Sequence, residues 1–295
     1  MQGDYEAAMH WFERALDRAR PLIEFVPFMT AIPLGGLSSV CLGISSKMVD
    51  KVVELHTQAL EILRTPTGAL AGGNGWADLG FCALELGQIE HADEYFQNGL
   101  RCPSIHMYVQ RPRLLAGAAL AALARNRLDP EPAKEAARLV SEARQYAEGR
   151  RMKSDYPLIN IVEAKVSAAR GETETALTCY REAADLALEM RMLPSLLQAR
   201  LGAAAVLAGC GQTLQFAEVC ADAQSTIDAM AGLFESDEYR KMFVESAGEK
   251  LANVTSNSKC TNVISEFADF ERGSTRSAHR QNILPEVTLS CANTL

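Results

Sequence analysis

The sequence predicts an all-α chain of about six antiparallel helix pairs, stacked as a solenoid with a period of 40 to 44 residues. Three observations predict it. Hydrophobic residues make up 48% of the 295 residues but aromatics only 6%, and Ala and Leu dominate the apolar content. That balance favours close-packed helices over sheets, which draw on Val, Ile, Thr and rings. No segment alternates polar and apolar with a period of two. Finally, a stripe of Ala, an aromatic four residues on, and Ala or Gly three further recurs along the chain.

The strong copies of the stripe are Ala8/Phe12/Ala15, Ala92/Phe96/Gly99 and Ala176/Tyr180/Ala183. Looser copies stand at Val52/His56/Ala59, Ala136/Val140/Ala143 and Ala217/Ala221/Gln224. Offsets of four and seven place three residues on one face of a helix. The small residues let a neighbouring helix approach, and the ring fills the space between. From first member to first member the steps are 44, 40, 44, 40 and 41 residues. Five residues before the strong copies come Gly3-Asp4, Gly87-Gln88 and Gly171-Glu172. Glycine supplies the left-handed conformation that ends one helix before the next begins. Ahead of the second of these turns, Trp76, Leu79, Gly80 and Ala83 form another helical stripe. Each unit therefore reads helix, glycine turn, helix, and neither helix buries its stripe without stacked neighbours.

The motif Trp76-x2-Leu79-Gly80-x2-Ala83-x3-Gly87-x-Ile89-x2-Ala92-x3-Phe96-x2-Gly99 resembles a tetratricopeptide repeat. Gly3 to Leu16 and Gly171 to Ala183 resemble the second half of that unit. The resemblance covers about residues 1–245 and implies a right-handed α-α superhelix, although the period is longer than the family's. HEAT and armadillo arrays share the longer period; the glycine turn and the ring-centred stripe favour the tetratricopeptide reading. Longer units of this kind resemble the C-terminal repeat arrays of large bacterial signalling proteins of the ATPase, nucleotide cyclase or transcriptional-regulator type. The first helix corresponds to the second half of a unit, so its stripe is expected to lie uncovered and the sequence reads as a fragment of a longer chain.

Two organisational expectations follow: a repeat array over 1–250, and a Ser/Thr/Asn-rich, mostly disordered tail over 251–295 with at most a short helix at 263–270. The apolar run 22–44 carries one charge, Glu24, and its Pro27, Pro33 and Gly35-Gly36 are expected to break a helix repeatedly. It therefore reads as buried helix with an irregular entry rather than a membrane span. The run 114–124 is too short to cross. With no basic and apolar leader at the start, and eight cysteines scattered without a Cys-x-x-Cys pair, the sequence reads as cytoplasmic with reduced thiols.

A net charge of −8 disfavours a nucleic-acid partner. There is no phosphate loop, no nucleophile elbow, and no Cys/His set at metal spacing. Gly72-Gly73-Asn74-Gly75 reads as an inter-repeat turn, and His91 beside Asp93 and Glu94 as a solvated face. The expectation is a non-enzymatic scaffold for a protein or peptide partner, without cofactor or metal. The alternative is a regulatory segment that acts on other domains of a longer parent chain. The family resemblance implies that first helices line a concave groove. It places Ala77, Phe81 and Glu85 in one repeat, and Ile161 and Lys165 in another, toward the partner.

Overall fold

The computed structural model describes residues 3–66, 73–102, 107–125 and 130–257. Twelve α-helices follow one another among them, with short 3-10 turns and no strand. They are α1 Tyr5–Ala19, α2 Phe28–Ile44, α3 Val49–Leu63, α4 Gly73–Glu85, α5 Ile89–Arg101 and α6 Met107–Arg125. Then come α7 Pro130–Gly149, α8 Tyr156–Ala169, α9 Thr173–Glu189, α10 Leu193–Gly209, α11 Thr213–Ala231 and α12 Asp237–Asn257. Each helix packs on its chain neighbour, giving five pairs from α2/α3 to α10/α11 between α1 and α12. The even-numbered helices from α2 to α10 also touch one another in succession, so they form the inner layer of the curve. The odd-numbered helices form the outer layer.

The turn glycines Gly87 and Gly171 act as read from the sequence, and Gly211, not singled out there, does the same. Gly87, Gly171 and Gly211 have φ of 71°, 76° and 69°. At each, the next amide reaches back to a carbonyl five residues earlier, as in Gln88 N to Ala83 O at 2.8 Å and Glu172 N to Ser167 O at 2.9 Å. This is the Schellman closure of a helix. Arg151 and Arg191 adopt the same left-handed conformation, with φ of 55°, between outer and inner helices.

The stripes are buried where the sequence placed them in four copies; in the first, Ala8 and Phe12 are half-buried and Ala15 is exposed, and α1 buries Tyr5, Met9, Leu16 and Ala19 instead. Val52, His56, Ala59, Ala92, Phe96, Ala136, Ala143, Ala176 and Ala183 are fully enclosed. The sixth copy is displaced by one residue: Ala217, Ala221 and Gln224 are exposed, and α11 instead turns Phe216, Cys220 and Ala223 inward. Gly211, five residues before Phe216, carried the signal. The corrected register puts this copy 40 residues after the fifth.

Each ring has a glycine seat on the following inner helix. A Cβ on Gly36 would lie 2.5 Å from the Phe12 ring, and Cβ atoms on Gly117 and Gly202 would collide with Phe96 and Tyr180. Gly80 adds a second wall for Phe96. The same packing corrects the expectation for residues 22–44. Helix α2 runs unbroken through Pro33 because Ala31, Leu34, Leu37, Val40, Cys41 and Ile44 are all buried. That burial outweighs the ~3 kcal/mol of an interior proline. Gly35 and Gly36 are not breaks; they admit Asp78 and Phe12.

Helices α1 and α12 meet, and α1 is not left uncovered. The Tyr5 ring lies 6.4 Å from Phe234 and 6.0 Å from Phe243. The Glu6 carboxylate accepts the backbone N–H groups of Glu235 at 2.8 Å and Ser236 at 2.9 Å, at the entrance to α12. Tyr5, Met9, Phe234, Phe243 and Ala247 belong to the same continuous core as the inner helices. Helix α12 packs on α10, α11 and also α2. It extends across residue 250 to Asn257, with Val254 seated among Ala204 and Ala205. Residues 258–295, including the helix expected at 263–270, lie outside the described residues.

Candidate functional site

The inner layer carries an ordered strip of polar and aromatic groups on α4 and α6. Arg113 extends from α6 to α4, where its guanidinium meets Asp78 at 2.6 Å and stacks 5.1 Å over the Phe81 ring. Phe81 meets Phe96 edge-on at 5.2 Å, so the strip is tied to the core beneath it. The helix period produces this set: Asp78, Phe81 and Glu85 stand at spacings of three and four along α4. Before α8, burial pushes the Asp155 carboxyl up to about 6, while Arg113 pulls the other way. Beside them the Cys82 thiol, 3.8 Å from the Ser39 hydroxyl, is pushed up by burial and held unreactive.

The five residues expected to face a partner divide in two. Ala77 at 0% exposure and Ile161 at 3% are enclosed by neighbouring helices and offer no surface in this conformation. Both follow the helix period onto the buried edge of the inner face. Phe81 is half-buried on the strip, and Glu85 faces Lys250 of α12 across 3.7 Å. Lys165 is half-buried on α8. Phe81 packs on the main core and Ile161 in a separate cluster with Tyr180 and Val206, so the two sets do not form one patch. The sequence reading missed Arg113 and Asp78. Their signal was an ionisable pair on consecutive inner helices, whose spacing only the fold reveals.

A second polar group lies in the core. His56 is fully enclosed, and neither of its ring nitrogens has a hydrogen-bond partner among the described residues. Burial, aided by nearby His91, pushes its imidazole down to about 3, so it is neutral. Its ring lies 5.7 Å from that of Tyr95, whose hydroxyl is also unpartnered. His91 itself stacks on Tyr95 at 6.1 Å, and Asp93 pairs with Arg125 at 3.2 Å. Among the described residues no three His, Cys, Asp or Glu side chains gather as a metal site, and no helix is long and apolar enough to cross a membrane. Cys41 and Cys82 are buried free thiols, whereas Cys210 is exposed.

No family model and no curated protein matches the chain. Among solved structures it is similar to the crystal structure of aspartyl phosphate phosphatase F from Bacillus subtilis. The identity is 14% and the TM-score 0.49, covering 92% of this chain and 78% of that one. A likeness of that degree carries neither fold nor function; both rest on the helices themselves.

Proposed function

We propose that this chain binds a protein or peptide partner on the inner layer of its helical array. The observation that supports the reading most is the strip of Asp78, Phe81 and Arg113. It combines an aromatic face, a charged fork and a carboxylate on neighbouring inner helices. Arginine stacked on a ring and only partly exposed is the kind of group that anchors protein interfaces. Glu85 and Lys165 add charges of opposite sign on the same layer, which suits an extended partner surface.

The test pairs Phe81→Ala with charge reversal at Lys165 and, separately, uses Arg113→Glu. Partners cross-linked to the full chain in its native extract are identified by mass spectrometry, and helical content is followed by circular dichroism. The proposal expects a partner whose capture falls severalfold in both variants while helicity is retained. Capture indifferent to both would move the interface off the inner layer.

A further inference from the structure

We infer that the bare outward face of α1 and the turn after it is a docking surface for a second copy of this chain, and that two copies join there antiparallel about Arg18. The start of α1 is covered by α12 through Tyr5 and Glu6. Beyond it, one side of the helix buries Leu16 and Ala19, and the other leaves large apolar side chains in water. Trp11 is 66% exposed, Leu22 45%, Phe25 78% and Met29 47%. The chain keeps a helical course between them: α1 runs into the 3-10 turn Arg20–Leu22, and the Val26 N–H donates to the Leu22 carbonyl at 2.9 Å. With the exposed Ala15 and Arg18 the set reads Trp11, Ala15, Arg18, Leu22, Phe25 and Met29, at steps of four, three, four, three and four. That is the spacing of a seam between two packed helices.

Size and symmetry point to a second copy as the occupant. The four large side chains leave ~500 Å² of apolar surface bare, the size of the largest patch on a typical monomer. Two copies joined there would bury ~1,000 Å² from these side chains alone, which reaches the area a stable interface needs. Trp11 and Phe25 each stand seven residues from Arg18. Two such helices laid antiparallel therefore set Trp11 of each copy against Phe25 of the other, and small Ala15 beside Leu22. Every contact is made twice, as a two-fold interface requires. The charges agree with that arrangement. Arg14, stacked 5.1 Å over Trp11, lies on the same flank of the seam as Glu24, so across the axis each Arg14 faces Glu24 of the second copy. The two Arg18 side chains near the axis lay their stems over the seam and reach the exposed Asp17 carboxylates.

Sedimentation velocity on the intact chain from about 1 to about 100 µM reads the association. The wild type should rise from 32.1 kDa toward twice that mass. Trp11→Ser with Phe25→Ser removes two exposed rings, so helicity by circular dichroism is kept while the dimer is lost at every concentration. Glu24→Arg sets like charges together at two symmetric points and weakens association about three- to tenfold. Adding Arg14→Glu to it restores opposite charges and returns the affinity toward wild type. A wild type that stays monomeric throughout leaves the seam to another occupant, such as a segment of a longer parent chain, and overturns the inference. Dimerisation that survives loss of both rings, or a charge swap no better than the single reversal, overturns it as well. Partner capture on the inner layer is read separately and can fail while the dimer stands.

Discussion

Replacing Phe96 with alanine removes the ring that joins three inner-layer surfaces. Phe96 is fully buried, walled by Gly80 on α4 and Gly117 on α6, and capped edge-on by Phe81. Both walls are backbone without side chains, so the surrounding helices cannot close the gap by rotating a rotamer. Loss of the ring should cost about 3–5 kcal/mol, near the upper end because the cavity cannot collapse. A typical fold holds only ~5–15 kcal/mol in total, so the transition should drop by roughly 6–20 °C for a chain of this size. Urea titration with far-ultraviolet circular dichroism reads the change. Gly117→Ala supplies the complementary perturbation. Its methyl would collide with the intact ring, and overpacking should cost ~1–3 kcal/mol. In the double variant that methyl enters the space the ring has left, so the combined loss should fall below the sum of the single losses by ~1 kcal/mol or more. A Phe96→Ala loss under ~1 kcal/mol, or strict additivity in the cycle, would refute the ring-in-glycine packing.

Tyr180→Ala should destabilise by somewhat less than Phe96→Ala, and Gly202→Ala should destabilise through collision with the Tyr180 ring, both read by thermal melts. His56 predicts acid sensitivity. Its folded value of about 3 lies below the ordinary 6.5, so the unfolded chain takes up the proton first, and stability present above pH 6.5 is lost as pH falls toward 3. Asp155, raised to about 6, acts with the opposite sign between pH 6 and 4. Denaturation at stepped pH should therefore show a steeper acid limb in Asp155→Asn and a flatter one in His56→Leu. Truncation after residue 252 should lower the melting temperature by removing Val254 from its seat, whereas truncation after 257 tests the expectation that the remaining residues add no core.

What the sequence made legible was local. The ring stripes and the glycine turns repeat within one unit, so Phe12, Phe96 and Tyr180 and the turns at Gly87 and Gly171 could be found by spacing alone. The glycine seats at Gly36, Gly117 and Gly202 fall 24, 21 and 22 residues after their rings, a recurrence that becomes meaningful once packing pairs them. In the sixth copy a template built on a central ring misplaced the stripe, because the aromatic stands first, at Phe216. Pro33 misled for another reason: a local breaker is overruled when both sides of the helix are buried. The candidate site was half legible. Phe81 and Glu85 follow from the helix period, whereas Arg113 against Asp78, Lys47 against Glu245 and Glu6 at the entrance to α12 join residues far apart in the chain. Pairing at such separations leaves no periodic trace, and closure of the array by α12 was invisible for that reason.

The contact of α12 with the N-terminal helices can be measured directly in the intact chain. A zero-length carbodiimide joins a lysine amine to a carboxylate only when the two touch, and the product is read by mass spectrometry after digestion. The account predicts an amide between Lys47 and Glu245, which stand 2.6 Å apart, and a weaker yield between Lys250 and Glu85 at 3.7 Å. Recovery of other lysine–carboxylate products, with neither of these two long-range ones, would contradict an array closed by α12.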